Sequence, residues 1–524
     1  MSISLSPAAE SRFRKSLRRA ELYLASQSPA EALASLEAAA EASPDHVETR
    51  LRIADIHITA GRHNDGRAQV MRALSGYIEN PHVAVELVKR LGKISESGTL
   101  IEIARQLPPA MWESPKSLAE MAHQLSLVGA HGIAEDFARA ANARDPNHPP
   151  ALSVLARLDE FFGRMDQAAE HAERCLQISP DDPSTHWLLS RLRRPDGGKR
   201  VDRIEAVIAR TQDPAALASL GYALHNELHE LKDYARSWEA LMLGCRSKLA
   251  TLAYQPSETA ALFDALHEWS PQEASQLDGW VDPALQPIFV LGLHRSGTTL
   301  AERIISGHSR VAAGGETYDI TAALRRASGL HCRGESDPRI VRARAGFDYR
   351  RIGKEYLDGM RWRAGAQPVV TDKLPSNFLN IGFIARALPQ ARFIRMRRDA
   401  IDVGLSNLRT LFGTGSGYSY DQMDYVDYFN RYEKLMDHWQ AILPGRILDV
   451  EYNDLVAEPE ATARRMAEFC GLGFEPAMVK IEERSDAVAT ASSVMMRDGI
   501  RKDRGKVWMA YQQPLQPMIQ ALGG

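Results

Sequence analysis

One segment of the chain places small and hydroxyl-bearing residues at a spacing that suits an anion. In PIFVLGLHRSGTTLAERIISGH, an apolar run (287–291) leads into Gly292, and Gly297 follows before Thr298 and Thr299. The apolar run predicts a β-strand, and the residues after the second glycine predict a helix. Backbone N–H groups at the start of such a helix, together with the helix dipole, favour a bound phosphate.

This loop differs from a nucleoside-triphosphate loop at one position. The pattern GxxxxGK[ST] needs a lysine directly after its second glycine, and Thr298 stands there instead. The loop has its cation earlier, at Arg295, next to Ser296. We interpret the segment as a cradle for a phosphate-like group, and a purely structural strand-to-helix turn is the alternative.

A second segment, RFIRMRRDAIDVGLSNLRTLF, offers another anion site. Its predicted strand ends at Arg398, and Asp399 is positioned to cap the helix that follows. Ser406 lies eight positions after Arg398, about two turns into that helix. A guanidinium group binds two phosphate oxygens with its planar fork, so this segment predicts a second phosphate site. A solvated basic strand end is the other interpretation.

The elements that carry these residues are of two kinds. From residue 287 onward, short β-type runs (PIFVL, PVVTD, ARFIRM and RILDVEY) alternate with helical patterns, which predicts a parallel sheet with helices on its faces. Ligands of such sheets lie beyond the carboxyl ends of the strands. The first half, to about residue 250, predicts helix after helix. We therefore expect a helical domain (1–250), a proline-containing linker (251–286) and an α/β domain (287–524).

The helical half repeats with a period of 34 residues. The residues that recur in this register are Gly129 and Gly163, Ala134 and Ala168, Ala141 and Cys175, and Pro146 and Pro180. Glycine permits a tight turn between two helices, small residues let the helices approach closely, and proline ends the second helix. The period predicts stacked pairs of antiparallel helices. A weaker unit ends near Pro81, another begins near Leu220, and a plain helical bundle is the alternative.

The loop, Arg398 and Ser406 together resemble the sulfotransferase superfamily over about residues 287–510, and the helical half resembles tetratricopeptide repeats. In pattern the chain is similar to tyrosylprotein sulfotransferases and to bacterial sulfotransferases that carry such repeats. The resemblance implies a repeat solenoid followed by a P-loop-like α/β domain with a central parallel sheet. It also implies transfer of a sulfuryl group from 3′-phosphoadenosine-5′-phosphosulfate to an acceptor hydroxyl, such as a peptide tyrosine or a glycan, with no metal required.

The resemblance implies a role for each matching residue. The loop for the 5′-phosphosulfate consists of Arg295, Ser296, Gly297, Thr298 and Thr299. Arg398 and Ser406 are implied to hold the 3′-phosphate. Glu316 is implied as the catalytic base and Lys373 as a cation near the transferred group. The remaining implied cofactor contacts are Tyr452, Ser492 and Lys506, the last two in a segment that closes over the cofactor. The chain departs from the family at His294, where proline is common, and at Thr317 and Tyr318.

Several alternatives stay open at this point. His294 and His308 are rival bases. A P-loop kinase or NTPase would need a magnesium-binding carboxylate, which Asp449 or Glu451 offers at a strand end. A repeat scaffold with an inactive second domain is a third possibility. Residues 321–363 hold ten Arg, one Lys and five acidic side chains. This basic stretch would steer an anionic acceptor, form a solvated face or contact the repeat domain.

Composition limits the class of protein. A formal net charge of -3 argues against a general nucleic-acid binder. The four cysteines form no CxxC pair, so a zinc or redox motif is not expected. The polar N-terminus lacks the apolar core of a signal peptide, and no apolar run is long enough to cross a membrane. These features predict a cytoplasmic protein, and the resemblance implies that its repeats recruit an acceptor or a protein partner.

Overall fold

The computed structural model describes residues 6–75, 81–192, 196–332, 334–413, 415–484, 486–490, 499–500 and 506–523. Helices fill the first half of the chain. In order they are α1 (Pro7–Ala25), α2 (Pro29–Ala42), α3 (Val47–Thr59), α4 (His63–Ala73), α5 (Pro81–Lys93), α6 (Ser97–Gln106), α7 (Pro115–Leu127), α8 (His131–Arg144), α9 (Pro149–Phe162), α10 (Met165–Ile178), α11 (Pro183–Arg191), α12 (Lys199–Ile208), α13 (Pro214–Glu230) and α14 (Tyr234–Ala250).

The residues that recur every 34 positions occupy the turns and the buried positions that their types predict. Gly129 and Gly163 lie between paired helices with φ of +84° and +80°, a conformation that glycine adopts without strain. The small residues of the register are buried where the helices of a pair meet: Ala134, Ala141, Ala168 and Cys175. The predicted succession of helical pairs is therefore confirmed.

The second half contains a five-stranded parallel sheet in the order β2-β3-β1-β4-β5. Its strands are β1 (Gln286–Gly292), β2 (Val311–Ala312), β3 (Val369–Asp372), β4 (Arg392–Arg397) and β5 (Ile447–Glu451). The central strand β1 is buried from its second residue to its last, which agrees with its continuous apolar sequence. The predicted combination of an all-α repeat region and an α/β domain with a parallel sheet is confirmed.

Helices surround this sheet and precede it. They are α15 (Pro256–His267), α16 (Pro271–Ala274), α17 (Thr298–Ile305), α18 (Asp319–Ser328), α19 (Pro338–Arg342), α20 (Tyr349–Ala364), α21 (Ile381–Ala387), α22 (Ala400–Leu408), α23 (Gln422–Ile442), α24 (Tyr452–Ala457), α25 (Pro459–Phe469) and a short C-terminal helix, Gln516–Ala521. Apolar residues of β1, α17 and α25 form one core with the face of the sheet. Among the described residues, no helix combines the length and the apolar character needed to span a membrane.

The chain forms two compact units. One consists of residues 1–145 and 321–333, and the other of residues 146–320 and 334–524. The later repeat helices, α9 to α14, therefore belong to the same unit as the sheet. The domain boundaries drawn from composition (1–250, 251–286 and 287–524) stay a prediction.

The basic stretch 321–363 is divided between the two units. In the first unit, the N–H of His63 donates to the carbonyl of Gly329 at 2.8 Å, and Arg326 pairs with Glu96 at 3.3 Å. In the second unit, most of its described cations lie beside carboxylates, such as Arg344 beside Glu273 at 3.1 Å. The carboxylates of these ion pairs neutralise arginine charges that would otherwise attract an anionic acceptor.

Candidate active site

The loop after β1 has a backbone that suits an anion. Gly292 and Gly297 have φ of +148° and +108°, and Arg295 between them has φ of +74°. A Cβ atom on Gly297 would lie 2.6 Å from Cδ2 of Tyr452, so that position excludes any side chain. Gly297 directly precedes α17, whose N-terminal N–H groups and dipole favour negative charge.

The hydroxyl groups of the loop are buried around the start of α17. Ser296, Thr298 and Thr299 are each less than a tenth exposed. Within the described part of the chain, the Ser296 hydroxyl has no hydrogen-bond partner although it is buried. A buried hydroxyl without an acceptor is costly, and a bound phosphate oxygen would supply that acceptor. The loop therefore fits a phosphate-like group.

A hydrogen bond joins residues of the two predicted anion sites. Nε of Arg295 donates to Oγ of Ser406 at 3.0 Å, so the loop after β1 touches α22, the helix after β4. The register of β1 with β4 explains this contact, because Gly292 pairs with Met396 at the same sheet edge. The guanidinium of Arg398 lies 4.4 Å from the ring centroid of Tyr452, the same ring that packs against Gly297.

Arginine side chains concentrate positive charge at this edge. Burial, together with the charges of the nearby guanidinium groups of Arg398, Arg191 and Arg409, lowers the pKa of Arg295 to about 10. Like charges held together in a buried place favour a bound anion of opposite charge. Lys506 also reaches this edge, because its N–H donates to Oδ1 of Asp402 on α22 at 3.2 Å. Ser492 lies outside the described residues.

A carboxylate and an ammonium group form a pair beside the loop. Nζ of Lys373 lies 2.5 Å from Oε1 of Glu316, with the lysine side chain fully buried and the glutamate side chain 41% exposed. The N–H of Lys373 donates to the carbonyl of Gly315 at 2.9 Å, which fixes the end of β3 against the residue before Glu316. The site thus has an accessible carboxylate held by a buried cation.

Comparisons with known proteins agree with this geometry. Residues 287–476 match the model of the sulfotransferase family, and residues 23–83 match a tetratricopeptide repeat. Residues 287–476 form a sulfotransferase-family domain.

Two relatives match parts of this chain. An uncharacterized protein of Aquifex aeolicus (strain VF5) is 29% identical over 401 residues, which are 74% of this chain and 52% of that protein. The chain thus spans about half the length of that relative. Protein-tyrosine sulfotransferase 1 of Danio rerio is 25% identical over 269 residues, 45% of this chain and 71% of its own.

Among solved structures, a sulfotransferase domain from the curacin biosynthetic pathway is 16% identical. It covers 47% of this chain and 98% of its own, with a TM-score of 0.31.

The rival bases of the sulfotransferase domain are placed differently. Nδ1 of His294 lies 3.1 Å from the hydroxyl of Tyr418, and burial lowers the pKa of His294 to about 4. A group with so low a pKa is a weak base at neutral pH. Nδ1 of His308 accepts from the N–H of Arg310 at 3.0 Å, and its Nε2 lies 3.4 Å from Glu475. Both histidines therefore have structural partners.

The carboxylates that a magnesium-dependent kinase would use are paired with arginines. Asp449 lies 3.5 Å from Arg395 and 3.8 Å from Arg397, and Glu451 lies 3.2 Å from Arg397. These contacts neutralise the carboxylates at the end of β5. The arrangement disfavours a magnesium site there, because the carboxylates already have cations beside them.

The sequence patterns did not single out Arg409 or Arg191. Arg409 follows Ser406 by three positions, so both lie on one face of the end of α22, and this helical spacing could have identified it. Arg191 lies at the end of repeat helix α11, and no pattern in the sequence around it indicates a role in the site. Its nearness to Arg295 depends on how the chain folds.

Proposed function

We propose that this chain transfers a sulfuryl group from 3′-phosphoadenosine-5′-phosphosulfate to an acceptor hydroxyl. The observation that carries the proposal is the hydrogen bond of 3.0 Å between Arg295 and Ser406. It joins the cradle after β1 to the cradle at α22, as expected if one nucleotide with phosphates at both ends binds across them. The family of residues 287–476 supports the same reaction.

The donor would be held by groups with distinct tasks. The loop residues 295–299 surround the 5′-phosphosulfate with N–H groups, hydroxyls and one guanidinium. Arg398 and Ser406 bind the 3′-phosphate, where the fork of arginine suits two oxygens. The ring of Tyr452, which packs between Gly297 and Arg398, separates the two phosphate positions. Lys506 would add a cation from the C-terminal segment, and the contact proposed for Ser492 lies outside the described residues.

The reaction would proceed by direct displacement at sulfur. The acceptor oxygen forms a bond to sulfur as the bond between sulfur and the bridging phosphate oxygen breaks, and Glu316 takes the acceptor proton. Lys373 stabilises the charge that grows on the bridging oxygen, together with Arg295. Because Lys373 is buried beside Glu316, it also holds the carboxylate in place before the acceptor arrives.

We propose the acceptor and the partners only as chemical classes. A peptide tyrosine or a glycan hydroxyl fits the same donor site, and function cannot be read from the fold alone. The repeats of residues 1–250 are proposed to recruit the acceptor or a protein partner, since stacked helical pairs form extended binding surfaces.

Transfer of label tests the proposal. The full chain is incubated with ³⁵S-labelled donor and a panel of tyrosine peptides, glycans and a cell lysate, with Glu316→Gln as the matched control. We expect label on an acceptor with the wild-type chain and at least about a hundredfold slower labelling with the variant. Binding of ATP with magnesium, ³²P transfer from it, and no binding of the sulfated nucleotide would overturn the proposal in favour of a kinase.

A further inference from the structure

The last helical pair of the repeat region touches the helix that carries Ser406. Helices α13 and α14 pack closely at Gly221 and Gly244. There is no room for a side chain at Gly221, since a Cβ atom there would lie 2.6 Å from the backbone nitrogen of Gly244. This close packing positions the neighbouring Tyr222, whose hydroxyl donates to the carbonyl of Leu408 at 2.7 Å. Leu408 is the last residue of α22, so the repeat pair anchors the end of that helix.

A buried histidine of α13 holds the next residue. Nε of Arg409 donates to Nε2 of His225 at 2.8 Å, and His225 is fully buried. Since Nε2 accepts, the proton of the neutral ring must be on Nδ1, which lies 3.0 Å from the carbonyl oxygen of Ser237 on α14. Burial and the charge of Arg409 lower the pKa of His225 well below its usual value, so the ring stays neutral.

The same hydrogen-bond network reaches the C-terminal segment. The hydroxyl of Tyr511 lies 2.9 Å from Oγ of Ser237 and 2.8 Å from Nδ1 of His229. Tyr511 ends the short helical turn Val507–Tyr511, which directly follows Lys506. One network of repeat side chains therefore contacts both Arg409 and the turn after Lys506.

We propose that His225 is a positioning residue of the donor site, which holds the guanidinium of Arg409 toward the anion that Ser406 binds. The last repeat pair is then part of the donor-binding machinery as well as part of the repeat array. This inference rests on the proposed function, because it takes the anion at Ser406 to be the 3′-phosphate of the donor.

The test compares two nucleotides that differ only in that phosphate. Affinities of the full chain for adenosine 3′,5′-bisphosphate and for adenosine 5′-phosphate are measured by calorimetry. For His225→Ala we expect about a tenfold loss of affinity for the bisphosphate, the worth of one hydrogen bond to a charged group, and no change for the monophosphate. His225→Gln should restore most of the loss, since its amide oxygen can accept from Arg409 while its nitrogen donates to Ser237.

Two further variants separate positioning from general damage to the repeats. His186→Ala removes an equally buried repeat histidine, whose Nε2 lies 2.8 Å from the carbonyl of Pro180, and it should leave both affinities unchanged. Arg409→Met should reproduce the selective loss of His225→Ala, and the double variant should add nothing, because the two residues act as one unit. Arg409→Met also provides the test should His225→Ala fail to fold.

The outcomes distinguish this inference from the proposed function. If the wild-type chain binds neither nucleotide, the proposed function fails and this inference fails with it. If the wild-type chain prefers the bisphosphate but His225→Ala keeps that preference, or loses both affinities equally, only the role of His225 is overturned.

Discussion

Arg295 and Ser406 are 111 positions apart in the chain, and Nε of the arginine donates a hydrogen bond of 3.0 Å to the hydroxyl of the serine. Each residue belongs to a segment that predicts an anion site by itself. Their contact brings the two segments together at the carboxyl edge of β1 and β4. The predictions below depend on that arrangement.

Glu316→Gln should lower kcat about 10²- to 10⁴-fold, because the variant cannot accept the proton of the acceptor hydroxyl. Affinity for adenosine 3′,5′-bisphosphate should stay the same, since the proposed partner of the 41% exposed glutamate side chain is the acceptor and not the nucleotide. Steady-state kinetics with calorimetry on the same samples checks both. Full turnover by this variant would remove Glu316 from the mechanism.

Lys373→Met should lower kcat about 10²- to 10³-fold, as expected for loss of one preorganised charge at the reacting group. The bisphosphate product lacks the sulfuryl group, so its affinity should change little. Lys354→Met is the matched control, because Lys354 forms an exposed pair with Asp358 at 2.6 Å, and it should leave kcat unchanged. Equal losses of kcat in the two variants would contradict the role of Lys373.

Gly297→Ala should weaken bisphosphate binding about tenfold or more. The added Cβ would clash with Tyr452 at 2.6 Å, and φ of +108° costs an alanine about 1–2 kcal/mol. Gly445→Ala is the control, since Gly445 has φ of +74° with open space around it. It should lower the free energy of unfolding without changing affinity. An unchanged affinity for Gly297→Ala would show that the loop does not bind the nucleotide.

Asp372 should make the stability of the chain depend on pH. Burial raises the pKa of Asp372 to about 7, although the carboxylate accepts hydrogen bonds from Thr317, Tyr356 and Asn377. The folded state therefore binds this proton more tightly than the unfolded state does. Its contribution is complete below about pH 4 and is lost as the pH rises toward 7.

The variant Asp372→Asn tests the direction of this pH dependence of stability. Relative to the wild-type chain, the variant should gain unfolding free energy between pH 5 and 7 by up to about 1.4 kcal/mol per pH unit. Chemical denaturation at several pH values measures the difference. A difference that is constant across this range would show that Asp372 is ionised throughout.

The spacing of residues within short segments of the sequence predicted much of the fold and part of the candidate site. The recurrence of Gly129 at Gly163 predicts the helical pairs because it reports turns that need a left-handed backbone. The order of Gly292 and Gly297 predicts the strand, loop and helix for the same reason. Such signals lie within one element or between neighbours, where the chain itself fixes the distances.

The contacts that tertiary packing creates were not predictable in this way. The hydrogen bond from Arg409 to His225 joins residues 184 positions apart, and nothing in either local sequence selects the other. The basic stretch was ambiguous for the same reason, since the partners of Arg326 and Arg344 are distant in the sequence. Side-chain partners across a fold depend on packing that no short pattern encodes.

The central claim is that two anion cradles hold opposite ends of one nucleotide. Calorimetry with adenosine 3′,5′-bisphosphate and adenosine 5′-phosphate tests it most directly in two variants of the full chain. Thr298→Ala should weaken both ligands equally, whereas Arg398→Met should weaken the bisphosphate about tenfold or more and leave the monophosphate unchanged. Equal losses for both ligands in Arg398→Met would contradict the claim, because Arg398 would then not bind the 3′-phosphate.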